Sequence, residues 1–308
     1  MEKTFIFGHK SPDTDTITSS IVMENLEKKL GNQEAKAYRL GKINKETEYV
    51  LNYWKIEAPE MIEEISEGAN VILVDHNNFL ESANGIEKAN ITKVVDHHCI
   101  ARDFETATPL FYLAKPVGCT ATIIYELYMQ NNIEIDEKIA GLMLSAIISD
   151  TLLFKSPTCT KADVEVANKL AKIANIDLEK YGMDMLKAGT DLSDFSPEEL
   201  ITLDSKEIGA NDIKFQVAQV NTACIEDVLK DKEKIENAMN EFMKANSIDV
   251  FLFAITDIIN SNSQAIVLGN RTDIIEKGFG KKLEDNMMFL PGVVSRKKQI
   301  VPVIKENA

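Results

Sequence analysis

Val94-Val95-Asp96-His97-His98 is the stretch from which the rest of the chain can be read. Two β-branched residues run into an acid and two adjacent histidines. This is the pattern of a buried strand that delivers polar side chains at its C-terminal tip. Working outward, the chain holds only four histidines: His9, His76, His97 and His98. Each lies at the end of a short apolar run and near an aspartate. The other two runs are Phe5-Ile6-Phe7-Gly8-His9, followed by Asp13 and Asp15, and Val71-Ile72-Leu73-Val74-Asp75-His76-Asn77. Three predicted strand ends thus converge on imidazole and carboxylate. That donor mixture suits a borderline divalent ion such as Mn²⁺, Co²⁺ or Zn²⁺ better than Ca²⁺, which takes oxygen ligands.

Each motif admits a functional and a plainer reading. Asp13 and Asp15 lie two apart, so on an extended backbone both point the same way and could reach neighbouring metals. The plainer reading is a polar turn at Ser11-Pro12, with Asp15 capping a helix expected from Thr16 to Leu30. Asp75, at a strand end, could bridge two cations or cap a turn. His76 is expected to bond a metal-ligating group and fix its orientation. Of His97 and His98, one is expected to bind metal and the other to face substrate, with Asp96 accepting an imidazole N–H. Asp150 follows an apolar helix predicted over 140–149, where a negative charge opposes the helix dipole and calls for a cation. Cys99 could ligate a metal, but a small buried hydrophobe is the favoured reading.

His9, Asp13, Asp15, Asp75, His97 and Asp150 are too many ligands for one catalytic metal with an open position. They fit two metals sharing a carboxylate. Such a pair acidifies a bridging water and clamps a phosphate oxygen, which implies hydrolysis of a phosphorus–oxygen bond.

Composition sets the class. The chain has 308 residues, 44% apolar and 27% charged, as in an ordinary water-soluble protein. No apolar stretch approaches the roughly 18 residues of a membrane helix. Met1-Glu2-Lys3-Thr4 runs into a strand with no leader pattern. Four cysteines without CxxC spacing predict reduced thiols and a cytoplasmic location. The net charge of −15 argues against nucleic acid as a partner, since phosphate backbones call for a basic face. A small anion remains compatible if metals and local cations supply the charge. Ser295-Arg296-Lys297 and Lys206 are the candidate anion contacts.

Strands alternating with helices predict a mostly parallel sheet in residues 1–187. The polar segment 188–194 is expected to be a linker and hinge, and 195–308 a second, smaller mixed α/β domain with strands near 213–220, 249–257 and 264–268, helices near 225–245 and 271–277, and a last strand at Ile300–Ile304.

Gly8-His9-Lys10-Ser11-Pro12-Asp13-Thr14-Asp15, Val74-Asp75-His76-Asn77, Val95-Asp96-His97-His98 and Ser149-Asp150-Thr151 together resemble the DHH phosphoesterase superfamily. Leu203-Asp204-Ser205-Lys206 and Ser295-Arg296-Lys297-Lys298 narrow the resemblance to its manganese-dependent (family II) inorganic pyrophosphatases. The resemblance runs from His9 to Lys298 and shows no regulatory insert. It implies a two-domain α/β fold with the second domain of the DHHA2 kind. It also implies one Mn²⁺ held by His9, Asp13, Asp75 and Asp150, and another by Asp15, Asp75, His97 and Asp150. His98, Lys206, Arg296 and Lys297 would contact pyrophosphate, with Asp15 also counted among the catalytic groups. Co²⁺ could replace Mn²⁺, Mg²⁺ would arrive with the substrate, and the chain would form a homodimer through its N-terminal domain. The alternatives are a related phosphodiesterase acting on short oligonucleotides or cyclic dinucleotides, and a metal store or sensor. The former usually carries a Gly-Gly-Gly-His motif in its second domain, whereas this chain has no histidine after His98.

Overall fold

The computed structural model describes residues 3–102 and 104–308, so Met1 and Glu2 of the expected leaderless N-terminus lie outside the described residues. The chain divides into two compact units, Met1–Gly189 and Thr190–Ala308. No described helix is long and apolar enough to cross a membrane.

The first unit runs β1 (Thr4–Phe7), α1 (Thr14–Lys29), β2 (Ala35–Arg39), α2 (Lys45–Trp54), β3 (Glu60–Met61), β4 (Asn70–Val74), β5 (Asn90–Asp96) and β6 (Phe111–Ala114). Then come α3 (Thr120–Gln130), α4 (Glu137–Thr151), α5 (Lys161–Ile173) and α6 (Leu178–Gly189). Its six strands pair in parallel in the order β3-β2-β1-β4-β5-β6. The order reverses between β1 and β4, which is where open α/β sheets leave a crevice at the carboxyl ends of the strands. Val71–Val74 and Val94–Asp96 are buried, as central parallel strands require. Asp13 rather than Asp15 caps α1, accepting from Thr16 N at 3.0 Å. The helix therefore starts two residues earlier than its apolar pattern predicts, and Asp15 lies in its first turn.

The second unit runs α7 (Pro197–Leu203), β7 (Ser205–Ala210), β8 (Ile213–Thr222), α8 (Ile225–Leu229), α9 (Lys232–Asn246), β9 (Val250–Asp257) and β10 (Asn262–Gly269). It continues with α10 (Thr272–Phe279), β11 (Met287–Pro291), a π-helical turn (Arg296–Ile300) and α11 (Val301–Asn307). The sheet order is β11-β10-β9-β8-β7, with only β8 and β9 parallel. Alternate residues of β9 serve two cores. Val250, Leu252 and Ala254 pack with Ile274 of α10 and Ile304 of α11, whereas Phe251, Phe253 and Ile255 pack with Ile201 of α7 and Met239 of α9.

Two differences from the sequence expectation are instructive. Ile300–Ile304, expected as a last strand, is helical, with Pro302 tolerated in the first turn of α11. Ile300 and Ile304 are four apart, so the helix buries both on one face. The helix expected over 225–245 is two, broken at Lys230-Asp231.

In the first unit, Gly141 of α4 lies flat against the Trp54 indole, leaving no room for a Cβ. Trp54 Nε1 donates to Tyr181 Oη at 2.9 Å, which ties α2 to α6. Gly141→Ala should therefore overpack this junction and destabilise by about 1–3 kcal/mol. Urea unfolding should show a lower midpoint at unchanged slope. An unchanged midpoint would show that the indole can move aside freely.

Candidate metal centre

Every predicted ligand lies just past a strand end or at a helix end in the first unit, around the crevice between β1 and β4. His9 follows β1, Asp75 follows β4, and His97 follows β5. Asp13 and Asp15 stand at the start of α1, and Asp150 in the last turn of α4. The sequence places Asp150 after its helix; the structure keeps it inside, because α4 continues to Thr151, whose hydroxyl bonds back to Ile147 O at 2.5 Å. The chain then turns through three successive left-handed residues, Leu152, Leu153 and Phe154, with φ of 46°, 52° and 68°. Such a run is costly for non-glycine residues.

Asp75 is the centre of the arrangement. It is 1% exposed and has φ 58°, a left-handed conformation that aspartate tolerates. Its N–H donates to Val95 O of the neighbouring strand at 3.0 Å. Its two oxygens face different ways. Oδ2 accepts from Thr16 Oγ1 at 2.7 Å and lies 3.5 Å from His9 Nε2. Oδ1 accepts from Thr120 Oγ1 at 3.1 Å and lies 3.3 Å from His97 Nε2. Gly8 makes room for Thr16, since a Cβ there would stand 2.5 Å from the Thr16 methyl.

Among the described residues, donor atoms gather in three overlapping groups, each within 4.8 Å: His9, Asp13 and Asp75; Asp15, His97 and Asp150; and Asp75, His97 and His98. Cys99 belongs to none of these groups and is exposed, so it is not the buried hydrophobe its sequence suggests. His97 Nδ1 bonds Val117 O at 3.1 Å. A carbonyl only accepts, so Nδ1 carries the hydrogen and Nε2 remains the ligand atom. Asp15 Oδ2 accepts from Thr120 N, the first amide of α3, at 2.7 Å, and Oδ1 accepts from Ser19 Oγ at 2.5 Å. The carboxylate thereby takes the place of a missing cap on α3.

His98 is set apart. Its side chain is 53% exposed, against 15% for His97. Its Nδ1 bonds Asp96 Oδ1 at 2.9 Å, and its backbone N–H reaches the same oxygen. Asn77 Nδ2 donates to Asp96 Oδ2 at 2.6 Å. His76 does not bond a ligand, contrary to expectation. Buried between Val74 O at 3.0 Å and Ser82 Oγ at 3.1 Å, it has both nitrogens satisfied.

The titratable groups of the cluster shift one another strongly. Burial pulls His9 down, but the Asp13 and Asp75 carboxylates outweigh it and raise its pKa to about 10. Burial likewise lowers His97, and Asp75 and Asp15 raise it to about 9. Burial and the Asp75 charge push Asp15 up to about 7. Burial, Asp15 and Asp75 drive Asp150 well above the carboxylate range. Burial would raise Asp75 too, yet His9 and His97 hold it well below that range. Imidazole and carboxylate donors converging at this spacing fit a divalent metal.

In the second unit a pocket of about 440 Å³ is lined by Asp204, Gln219, Asn221, Ser295, Arg296 and Lys297, among others. Arg296 Nη2 donates to Asp204 Oδ1 at 2.6 Å. Its Nε is buried with no hydrogen-bond partner among the described residues. Lys206 is not part of the lining and stands exposed on the edge strand β7.

Sequence reasoning passed over Thr16, Ser19, Thr120 and Asn77, which bond the carboxylates of the site. The signal for the first two is a helix start with a hydroxyl at positions 14, 16, 18, 19 and 20, all of them buried. Nothing local marks Thr120, whose partners lie 45 and 105 residues away.

Comparison with known proteins gives concordant results. Residues 3–147 match the DHH family, N-terminal domain, and residues 183–307 match the DHHA2 domain. A Staphylococcus epidermidis protein named "Probable manganese-dependent inorganic pyrophosphatase" is 53% identical over 306 residues, covering 99% of each chain. An Exiguobacterium protein of the same name is 52% identical over 309 residues, covering 100% of this chain and 99% of its own. A crystal structure described as that of a "Methanococcus jannaschii putative family II inorganic pyrophosphatase" is 42% identical, covers 99% of both chains and has a TM-score of 0.61. An exopolyphosphatase-related protein from Bacteroides fragilis, at 13% identity and a TM-score of 0.51, shares the fold.

Two outcomes follow from this geometry. The carboxylates around His9 and His97 raise their pKa values to about 10 and about 9, so a divalent ion binding there is expected to displace protons at pH 7. Adding Mn²⁺ to metal-free protein in weak buffer at pH 7 should release protons, and affinity should rise from pH 6 to 9, because the free state holds more protons. Uptake without proton release would contradict the arrangement. Secondly, His97→Ala should weaken metal binding, while His98→Ala should leave it nearly intact and slow turnover. Equal metal loss in both, read by titration, would sink that distinction.

Proposed function

The chain belongs to the manganese-dependent inorganic pyrophosphatases, hydrolases built from a DHH and a DHHA2 domain, and we propose how its own residues divide the hydrolysis of pyrophosphate to two phosphates. The observation that carries the proposal is Asp75, whose two oxygens each face a different imidazole in a different donor group. His9, Asp13 and Asp75 would hold one Mn²⁺, and Asp15, Asp75 and His97 another, with Asp150 shared between them. The grouping of Asp150 with Asp15 and His97 supports the second assignment; its reach to the first ion rests on the family resemblance. Bound there, divalent ions supply positive charge for phosphate oxygens and make a water acidic at neutral pH.

The remaining work falls to the chain. His98 donates its Nδ1 hydrogen to Asp96, which leaves Nε2 free for a phosphate oxygen. Asp96 raises the His98 pKa against the pull of burial, so the ring can donate a proton at Nε2. Asn77 holds the other Asp96 oxygen and so fixes the ring's support. Arg296 and Lys297 take hold of phosphate, with Lys206 as a further cation. Residues 188–194 serve as the hinge that lets the second domain act on substrate. In support, helix α6 ends at Gly189 and α7 starts at Pro197, so most of this segment is neither helix nor strand. A homodimer through the first unit draws support from β6, a sheet edge whose Phe111 is 46% exposed. Unpaired cysteines support a cytoplasmic location.

The test is phosphate release. Chelation should abolish it, and Mn²⁺ or Co²⁺ should restore it better than Mg²⁺ alone, since imidazole donors favour the former ions. Pyrophosphate should be cleaved and a linear dinucleotide left intact. Cleavage of the dinucleotide, or full activity of demetallated protein with Mg²⁺ only, would overturn the proposal.

A further inference from the structure

In the second unit, three neighbouring strands share one pattern. On the face that packs against α10 and α11, Phe215 and Val217 of β8 lead to Gln219. Leu252 and Ala254 of β9 lead to Thr256, and Val267 and Ala265 of β10 lead to Ser263. Each apolar row thus ends in a polar residue at the same edge of the sheet. The three are 7%, 2% and 0% exposed. Apolar side chains would serve folding as well there, since buried polar groups add little net stability.

The polar row bonds main chain instead. Gln219 Oε1 accepts from Arg296 N at 2.8 Å, and Gln219 Nε2 donates to Val294 O at 3.0 Å and Thr256 Oγ1 at 2.8 Å. Because Arg296 N only donates and Val294 O only accepts, the amide has one orientation. Ser263 Oγ donates to Val293 O at 2.7 Å, so the Thr256 hydroxyl, 2.8 Å away, must donate to Ser263. The hydrogen bonds run in one direction, Gln219 to Thr256 to Ser263 to Val293. From the other side, Gln299 Oε1 accepts from Val294 N at 2.9 Å and Ser295 N at 3.0 Å. The peptide groups of residues 293–296 are thereby clamped between a sheet and a helical turn.

We propose that Gln219, held by Thr256 and Ser263, is the positioning residue that fixes the main chain at Arg296 and so sets the place from which the Arg296 guanidinium grips phosphate. This rests on the reading of Arg296 as a phosphate contact. A guanidinium reaching phosphate bidentately needs its base held to a fraction of an ångström, and the row supplies that hold at the residue itself. Gln219 lines the pocket beside Arg296 and Lys297 but commits both ends of its amide to the protein.

The test uses full-length Mn²⁺-loaded enzyme. Gln219→Leu leaves the Arg296 amide and the Val294 carbonyl without partners. It should raise KM for pyrophosphate about tenfold or more and lower kcat, with Mn²⁺ affinity unchanged. Thr256→Val should act in the same sense more weakly, and Thr256→Ser should restore wild-type values. The double variant Gln219→Leu with Arg296→Ala should be no worse than Arg296→Ala alone, because Gln219 acts through Arg296. General destabilisation would make the two effects add instead, and additivity would overturn the proposal. So would normal kinetics in folded Gln219→Leu. Should Gln219→Leu fail to fold, the near-isosteric pair Thr256→Val and Thr256→Ser decides: equal KM values in both overturn it. An Arg296→Ala enzyme with normal KM would instead refute the phosphate-contact reading, so the two failures are separable.

Discussion

The structure of the first unit depends on keeping one ionised carboxylate, Asp75, almost wholly out of water. Burying such a charge costs several kcal/mol even after relaxation. The hydroxyls of Thr16 and Thr120, bonds of about 1.5–3 kcal/mol each to a charged group, offset only part of that. The remainder must come from positive charge, and among the described residues the cationic side chains that reach Asp75 are imidazoles: His9, His97 and the more exposed His98. With Asp13, Asp15 and Asp150 crowded around the same point, burial and the neighbouring carboxylates push the Asp15 and Asp150 carboxyls up. A site built this way is short of cations by construction. That shortage is its affinity for divalent metal.

The sheet order serves this requirement. Reversal between β1 and β4 opens a crevice at their carboxyl ends, and the loops after β1, β4 and β5 all empty into it. Other elements then brace the loops. Glu46 of α2 accepts from Thr14, between Asp13 and Asp15, at 2.6 Å, and from Ser149, beside Asp150, at 2.5 Å. Asp163 of α5 accepts from Gly118 N at 2.8 Å and Thr122 Oγ1 at 2.7 Å. It thereby holds the segment that presents Val117 to His97 and Thr120 to Asp15 and Asp75. Helices far from the candidate ligands in sequence thus hold their neighbours. In the second unit the sheet itself does the holding, through polar residues at the ends of otherwise apolar rows.

Strand ends bearing His9, Asp75, Asp96 and His97 were legible because the signal is local: an apolar run, then a donor, in a chain with few histidines. The second sheet was only half legible. Edge strand β7 carries Lys206 and Glu207 on exposed positions, so it lacks the continuous apolar run of a central strand, whereas β11 is apolar throughout but only five residues long and ends in proline, a run too short for periodicity to assign. Ile300 and Ile304 satisfy strand and helix periodicity alike, and only the core they enter chooses between the two. Cys99 shows the same limit, since nothing in its neighbours says that the chain after His98 stays at the surface.

Residue types and their order along the chain were enough, by themselves, to point to the kind of chemistry: imidazole and carboxylate gathered at strand and helix ends, a donor set for a divalent metal. That reading depends on side chains a few positions apart, whose relation is set by strand and helix geometry. Only the tertiary structure decided which oxygen of Asp75 faces which imidazole, that His76 is satisfied by Val74 and Ser82 rather than by a ligand, and that Thr120, Glu46, Asp163 and Gln219 hold the working residues in place. Those contacts join positions about 20 to 105 residues apart, the short His76 contacts excepted, and hydrogen bonds of that span exist only once the chain has packed.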